Sequence, residues 1–331
     1  MSRLRITHTA FAAAFAFVAF AAPAQSQTDS TAGYPNKPIR FIVGFAAGGG
    51  TDLLARIVGA KLSDIVGQPV IIENRTGAGG QIAVEYVQNQ PKDGYTVAIG
   101  AIGQLAVATA IYPNLPFHPT RTLMPITMLG SYPLALVAQE NDAIKSVKDL
   151  IAFAKANPEK SNYPTSSPAF TIASELFKLR TGMPGTAIPY RSTNEMVISV
   201  VSGQTLFGFP DSSNAVAQAK SGKLRALAIA NPTRIPELPD VPTLAEAGHS
   251  DVDLKVQWIG AFLAAGTPEP IAKKLEAALR KADVDPSVRQ RIRAMAYFPE
   301  GGPADEFRAR IDSDIKLFSD VVKEAKLKFE R

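Results

Sequence analysis

Cysteine is absent from the chain of 331 residues, and histidine occurs only three times. Without cysteine, the protein has no disulfide framework and no lipid attached through a cysteine. Beyond the first 24 residues the histidines are His118 and His249, and neither has a second histidine at the spacing of metal ligands. We therefore predict no metal site and no cofactor, and we interpret both histidines as surface or loop residues.

Sequence signatures of catalysis and of nucleotide binding are also missing. No Gly-x-Ser-x-Gly segment occurs, so a hydrolase with a serine nucleophile has little support. The glycine clusters that begin at Gly48 and Gly77 carry leucine or isoleucine where a dinucleotide fingerprint needs its third glycine. Gly222-Lys223 lacks the upstream glycine of a phosphate-binding loop. We predict no catalytic residues, and hence a protein that is not an enzyme.

The chain has no strong excess of either charge. It contains 35 Lys and Arg against 30 Asp and Glu, a formal net charge of +5. The basic residues are scattered among acidic ones and do not form a run, so nucleic-acid binding has little support. A small anionic ligand is compatible with this mild positive charge.

The first 24 residues have the composition of a secretory signal peptide. Arg3 and Arg5 precede an apolar stretch from Ala10 to Ala22, and polar residues follow Ala24. As a helix the apolar stretch would extend only about 20 Å, which is too short to cross a membrane. We predict cleavage after Ala24 and export to the periplasm, because no later stretch is apolar for long enough to span a bilayer.

The length and the 46% hydrophobic content predict two packed domains. Segments with strand-like composition start near residues 39, 70 and 95, and helical spacing of apolar residues follows the first two. Repeats of this length are typical of βαβ units, which predicts a parallel sheet with right-handed crossovers in the first domain.

A second α/β unit is predicted downstream. It begins with a helix after Ser146, whose hydroxyl can cap that helix, and it continues through apolar segments at 187–190, 206–209 and 224–230. The proline-rich segment 235–242 is typical of an irregular boundary.

The chain beyond this boundary is predicted to return to the first domain. Residues 260–265 resemble a strand, and Thr267 is expected to cap a helix with Pro268 in its first turn. The last helix carries an apolar stripe, which must pack against the rest of the protein. The stripe consists of Phe307, Ile311, Ile315, Phe318, Val322 and Ala325.

The glycine-rich turn from Gly48 to Asp52 lies where a strand ends and a helix begins, and such a position is a candidate anion site. Glycines allow several backbone N–H groups to face one anion at the positive end of a helix. Thr51 can offer its hydroxyl to a ligand or to the helix, whereas Asp52 is expected to cap the helix or to favour its dipole. An ordinary tight turn remains the alternative interpretation.

Several further segments, taken with this turn, resemble the substrate-binding receptors of tripartite tricarboxylate transporters, also called Bug receptors. The similarity extends over nearly the whole chain after the predicted signal peptide. The segments are Tyr34 to Arg40, Gly67 to Val70, Glu73 to Gly80, Asp93 to Tyr95, Pro189-Tyr190, Gly222 to Ala228, Leu238 to Thr243, Glu246 to Gly248 and Ala265 to Pro268.

The resemblance implies an α/β, two-lobed periplasmic-binding-protein fold of type II, with a ligand cleft between the lobes. Lobe one would comprise residues 34–133 and 246–331, and lobe two residues 134–245. The implied partners are a small organic carboxylate and the membrane permease subunits of a tripartite tricarboxylate transporter, and the receptor is expected to be a monomer. The implied ligand-binding residues are Phe45, Ala46, Gly50, Thr51, Asp52, Gln104, Thr165, Ser166, Ser167 and Asp211.

Two departures from the family pattern bear on the ligand. Ala46-Ala47 stands where relatives usually carry two prolines, and Pro168 and Phe170 make the second-lobe loop stiffer and more apolar. These changes favour a ligand with an aromatic or aliphatic body. Asp211 is expected either to accept a hydrogen bond from the ligand or to cap a helix. The alternatives to a transport receptor are a sensor that acts through a membrane signalling partner and a secreted α/β enzyme.

Overall fold

The computed structural model describes residues 33–324 except residues 142, 253 and 255. The predicted signal peptide and Ala325 lie outside these residues. Within them, no helix is both long enough and apolar enough to cross a bilayer.

Strands and helices alternate along most of the described chain. The strands are β1 Ile39–Val43, β2 Val70–Asn74, β3 Thr96–Ala101, β4 Leu123–Tyr132, β5 Leu134–Gln139, β6 Asn162–Thr165, β7 Thr186–Pro189, β8 Phe207–Gly208, β9 Leu224–Ala230, β10 Gln257–Ala264 and β11 Phe298–Pro299. The helices are α1 Gly50–Val66, α2 Gln81–Gln88, α3 Ala108–Ile111, α4 Val147–Ala156, α5 Pro168–Thr181, α6 Thr193–Val201, α7 Ser212–Lys220, α8 Glu269–Asp283, α9 Pro286–Ala294 and α10 Ala304–Glu324.

The largest sheet has the strand order β11-β4-β10-β3-β1-β2. Strand β1 pairs in parallel with β2 and with β3, which confirms the parallel pairing predicted for the first three strands. Strand β10 is antiparallel to β3 and to β4, so the sheet as a whole is mixed. Strand β4 was not predicted from the sequence.

Two smaller sheets lie in the second unit, in which β7, β8 and β9 match the predicted segments and β5 and β6 were not predicted. Strand β5 pairs antiparallel with β8 and β9, and β6 pairs in parallel with β7. The chain passes from the largest sheet to the smaller ones between β4 and β5, across Pro133, and returns between β9 and β10. The two-lobed α/β architecture is therefore present, whereas the lobe boundaries at residues 133 and 245 remain predictions.

Helix α10 packs on the largest sheet through its apolar stripe. Phe307, Ile311 and Phe318 are buried in one cluster with Trp258 and Phe262 of β10. The Trp258 indole Nε1 donates a hydrogen bond of 2.8 Å to Asp314 Oδ2 on the same helix. The last helix of the described chain thus packs on the sheet that contains the first strand.

The predicted helix caps have different outcomes. Ser146 caps α4, because its Oγ accepts from the Asp149 N–H at 3.1 Å. The expectation for Thr267 is wrong: Pro268 occupies the cap position of α8, and the Thr267 hydroxyl instead donates to the Ala264 carbonyl at 2.8 Å. Ala264 is the last residue of β10, so the Thr267 hydroxyl binds the end of the strand and does not cap the helix.

A buried carboxyl group lies at the end of α8. Asp283 is fully buried, and among the described residues neither of its carboxyl oxygens has a hydrogen-bond partner. Burial raises its pKa well above the usual range, against the opposing attraction of Arg289 and with a further increase from Glu300. Asp283 thus favours its neutral form in the folded protein.

Candidate functional site

A narrow cleft lies where the largest sheet and the smaller sheets meet. It opens beyond the carboxyl ends of β1 and β3, the position at which open α/β sheets bind ligands. Its lining residues are Phe45, Ala46, Gly49, Gly50, Thr51, Ala101, Gly103, Tyr132, Ser167, Ala169, Phe170, Ser192, Thr193, Asn194, Asp211 and Tyr297.

The glycine-rich turn forms one wall of the cleft. Helix α1 begins at Gly50, and its cap residue Gly49 has no side chain to occupy the first N–H groups. The N–H groups of the first turn have no acceptor within the helix and carry the positive end of its dipole. Gly50 is also required by packing: a Cβ there would lie 1.8 Å from Tyr297 Oη.

Asp52 holds this turn from behind and does not line the cleft. Its Oδ2 accepts from the Gly48 N–H at 2.9 Å, and both carboxylate oxygens accept from Arg56 at 2.9 Å. Asn74 Nδ2 donates to Asp52 Oδ1 and to the Phe45 carbonyl, each at 2.9 Å. The carboxylate therefore has the first-turn role that the sequence indicated, and it is directed toward Arg56 and Asn74.

Asp52 should make the glycine turn sensitive to acid. Burial alone would raise its pKa, but the hydrogen bonds from Arg56, the Gly48 amide and Asn74 together lower it below the usual value. A lowered pKa gives stability that is present above the unfolded-state pKa of about 3.9 and is lost as the pH falls through the folded-state pKa. We expect Asp52→Asn to cost about 1–3 kcal/mol at pH 7 and much less at pH 2.5, measured by urea unfolding. An equal cost at both pH values would contradict this role.

The opposite wall presents the first turns of three helices. Ser167 is the cap residue of α5, with proline in the first turn and no capping hydrogen bond from the Ser167 side chain. Ser192 caps α6 by accepting from the Glu195 N–H at 3.2 Å. Asp211 caps α7. Together with α1, four helices direct their positive ends toward the cleft.

Asp211 is buried and connects the walls of the cleft. Its Oδ1 accepts from the Asn214 N–H at 3.2 Å, from the Ser213 hydroxyl and from Tyr297 Oη at 3.1 Å, while Oδ2 accepts from Asn214 Nδ2 at 2.9 Å. Tyr297 stacks on Tyr132 with ring centroids 4.7 Å apart. Burial, then the charge of Asp211, raises the pKa of Tyr297 well above its usual value, so its hydroxyl remains a donor.

The structure places six of the ten predicted site residues at the cleft and four outside it, among them Asp52 behind the glycine turn. Those that meet at the cleft are Phe45, Ala46, Gly50, Thr51, Ser167 and Asp211. Thr165 and Ser166 instead line a neighbouring, more open hollow beside Tyr190. Gln104 is fully buried behind the cleft floor, where its amide fits against Gly44 and Gly80. The binding roles of all ten residues remain predictions.

Several lining residues were not predicted. Tyr132 and Tyr297 come from β4 and from the residue before β11, and no local pattern marks them. Ser192 to Asn194 did carry a signal, because Ser192 followed by Glu195 is a capping-box pattern that places a helix start there. Of the two residues suggested to stiffen the second-lobe loop, Phe170 lines the cleft and Pro168 lies on the far side, in the hollow.

The positive potential of the cleft comes from its backbone N–H groups. None of the described residues that line it is lysine, arginine or histidine, and Asp211 is its single acidic residue. The described residues also contain no cluster of histidine or acidic side chains that could hold a metal ion. An anion in this cleft would therefore be held by N–H and hydroxyl donors at helix starts.

A family model described as "Tripartite tricarboxylate transporter family receptor" matches residues 54–326. The chain belongs to this family. It is 33% identical to protein BugT of Bordetella pertussis over 313 residues, which is 93% of this chain and 94% of that protein. The family consists of periplasmic solute-binding receptors, so the predicted family and receptor class are confirmed.

Solved structures of family members have the same fold. MatC of Rhodopseudomonas palustris with bound malate is 30% identical, with a TM-score of 0.82 over 87% of this chain and 100% of that chain. Rpa4515 of R. palustris with adipate is 29% identical, with a TM-score of 0.85 over 89% of this chain and 99% of that chain. The predicted two-lobed periplasmic-binding-protein fold is confirmed.

Proposed function

We propose that this protein is a monomeric periplasmic receptor that captures a small carboxylate in the cleft and delivers it to the permease of a tripartite tricarboxylate transporter. The observation that carries the proposal is the meeting of four helix starts, those of α1, α5, α6 and α7, at a cleft without cationic side chains. Solved relatives with malate and with adipate support a carboxylate as the ligand.

The first turn of α1 is the proposed carboxylate anchor. The N–H groups of Gly50 and Thr51 lie at the positive end of a helix of 17 residues, and the Thr51 side chain adds a hydroxyl. A helix dipole stabilises a nearby anion by about 0.3–1 kcal/mol, and up to about 2 kcal/mol where the site is partly buried. The starts of α5 and α6 add to this effect from the opposite wall.

The remaining wall residues set which carboxylate fits. Phe45 and Phe170 offer apolar surface, whereas Ser192 and Asn194 offer hydrogen-bonding groups. This combination supports a ligand with an aliphatic or aromatic body behind its carboxylate. Asp211 already accepts four hydrogen bonds within the protein, which supports a structural role in the cleft wall over an acid–base role in catalysis.

A thermal-shift screen of paired compounds tests the proposal. Each carboxylic acid, with malate, adipate and benzoate among them, is compared with its primary amide, which has nearly the same shape and no charge. We expect the acid that binds best to stabilise the folded protein by about 2.7 kcal/mol at 100 times its dissociation constant, and its amide to give little stabilisation. Equal shifts with acids and amides, or shifts with neutral sugars alone, would contradict the proposal.

The same screen separates a receptor from an enzyme. The bound acid is incubated with the protein and then analysed by NMR, and a receptor returns it unchanged. A product that forms at a rate proportional to the protein concentration would overturn the non-catalytic assignment.

A further inference from the structure

The first turn of α5 lies directly against two glycines that follow strands of the largest sheet. A Cβ added at Gly103 would lie 2.9 Å from the Cβ of Ala169 and 3.1 Å from Ser167 Oγ. A Cβ added at Gly79 would lie 3.2 Å from Pro168 Cδ. Carbon atoms in contact are normally about 3.5–4.0 Å apart, so this contact exists because both glycines lack side chains.

The two sides of the contact belong to different sheets. Gly103 begins a π-helical stretch, Gly103–Val107, that follows β3 of the largest sheet, whereas α5 follows β6 of a two-stranded sheet. Strands β3 and β6 are far apart in the chain and share no sheet. The glycine contact is therefore part of the surface along which the two lobes meet.

Helix α5 has two buried apolar faces. One face, with Phe170 and Phe177, belongs to the cluster that contains Tyr163 of β6. The other face, with Ala169 and Ile172, belongs to the cluster that contains Leu105 of the π-helical stretch. The second face would be exposed whenever the lobes separate, so it gains apolar burial only when they meet.

The contact also separates the cleft from solvent. Ser167 lines the cleft on one side and the neighbouring hollow on the other, and the hollow additionally exposes Gly79, Pro168 and Tyr190. A molecule in the cleft is thus enclosed along this edge by the contact between α5 and the two glycines.

We propose that the missing side chain of Gly103 permits full closure of the receptor, because it lets the start of α5 pack directly against the π-helical stretch. The inference rests on the proposed function, in which closure retains the carboxylate. Gly103 acts as a positioning residue: it lets the donors of α5 and α1 reach the same ligand, and any larger residue holds the lobes apart.

The variant Gly103→Ala tests lobe closure with little expected effect on folding stability. Gly103 is not among the glycines with positive φ, and alanine has the higher helix propensity, so the substitution suits the local backbone. Gly79 has a φ of +62° and would add backbone strain, which makes it a poorer test position. Gly302→Ala is the matched control, because its Cβ would meet nothing closer than Glu306 Oε2 at 3.6 Å.

The experiment measures closure by the distance between two spin labels. The natural chain has no cysteine, so the labels can be attached to two introduced cysteines. These replace two exposed residues, Asn89 at the C-terminal end of α2 and Leu179 on α5. Distances are recorded without ligand and with malate or adipate. We expect the wild type and Gly302→Ala to populate a short distance that Gly103→Ala lacks.

Affinity and unfolding measurements complete the test. Gly103→Ala should bind whichever of malate and adipate stabilises the wild type about tenfold or more weakly. Its unliganded unfolding midpoint should stay within about 2 °C of wild type. The second substitution Ala169→Gly, made in the Gly103→Ala background, should restore part of the short-distance population.

Three results would overturn the proposal. The first is an equal short-distance population in Gly103→Ala and the wild type, and the second is the absence of that population from the wild type in all conditions. The third is a clear loss of unliganded stability in Gly103→Ala, which would identify a permanent core contact. If no carboxylate binds the wild type, the proposed function fails, while the unliganded label distances still decide whether the missing side chain of Gly103 permits the close approach of the lobes.

Discussion

Gly50→Ala is expected to abolish carboxylate binding and to lower the free energy of unfolding by about 1–3 kcal/mol, the usual cost of overpacking a buried site. The added Cβ would lie 1.8 Å from Tyr297 Oη and 2.9 Å from Tyr297 Cζ. Tyr297 is held by its stacking on Tyr132 and by its hydrogen bond to Asp211, so it has little freedom to move away. Helix α1 must shift instead, and the N–H groups proposed to hold the carboxylate shift with it.

Two variants control this result. Gly49→Ala changes the adjacent glycine, but its Cβ would meet only the Ala46 carbonyl, at 3.4 Å, so we expect a nearly unchanged unfolding midpoint. The double variant Gly50→Ala with Tyr297→Phe removes the closest atom and should recover part of the lost stability. Calorimetry with the best acid of the screen and urea unfolding measure both effects. Full binding by Gly50→Ala would remove α1 from the site.

The structure sharpens the role of Gly50. The sequence placed this glycine at a strand-to-helix turn, where close approach of backbone to an anion is a sufficient reason for glycine. The approach of Tyr297 gives a second reason that the sequence does not show, because the two residues are far apart in the chain. A substitution at Gly50 is therefore expected to affect folding as well as binding.

Asp283→Asn should make the protein more stable than the wild type at pH 8, because the variant removes a buried acid whose ionisation opposes folding. Asp283 is buried, and burial raises its pKa well above the usual range. A carboxyl group with a raised pKa gives stability that is fully present below the unfolded-state pKa of about 3.9 and is lost as the pH rises through the folded-state pKa. Asparagine has the same shape and needs no proton, so the variant avoids this loss.

Urea unfolding at pH 5 and pH 8 measures the effect. The stability advantage of Asp283→Asn should be larger at pH 8 than at pH 5, because the wild type must bind a proton or bury a charge there. Arg289→Met tests the charge that opposes the shift, and it should enlarge the advantage of the asparagine variant. An Asp283→Asn protein that is less stable than wild type by the same amount at both pH values would contradict the neutral state.

The features that the sequence predicted correctly are local ones. The strand-to-helix switch at Gly50 and the capping hydroxyl of Ser146 are set by neighbours within a few residues. The length of the βαβ repeat predicts the parallel pairing of β1 with β2 and β3. The crossover between such strands is almost always right-handed, so few arrangements remain possible. These predictions are correct because the tertiary packing favours the same local structures.

The features that the sequence missed depend on distant contacts. Gln104 follows β3 and could have pointed into the cleft, but the space left by Gly44 and Gly80 accommodates its amide in the interior. Tyr297 reaches the cleft because β11 pairs with β4, an arrangement that joins segments about 170 residues apart. Local spacing does not predict the position of either side chain, because each position depends on which elements pack together.

The start of α1 has a consequence for how receptors of this kind can diverge. Its positive charge is spread over peptide groups that every residue shares, so no exchange of one side chain neutralises it. In the proposed binding mode, residues such as Phe45, Ala46 and Phe170 can therefore change while the backbone N–H groups still bind a carboxylate. A lineage of these proteins could move from one acid to another through intermediates that all still bind an anion.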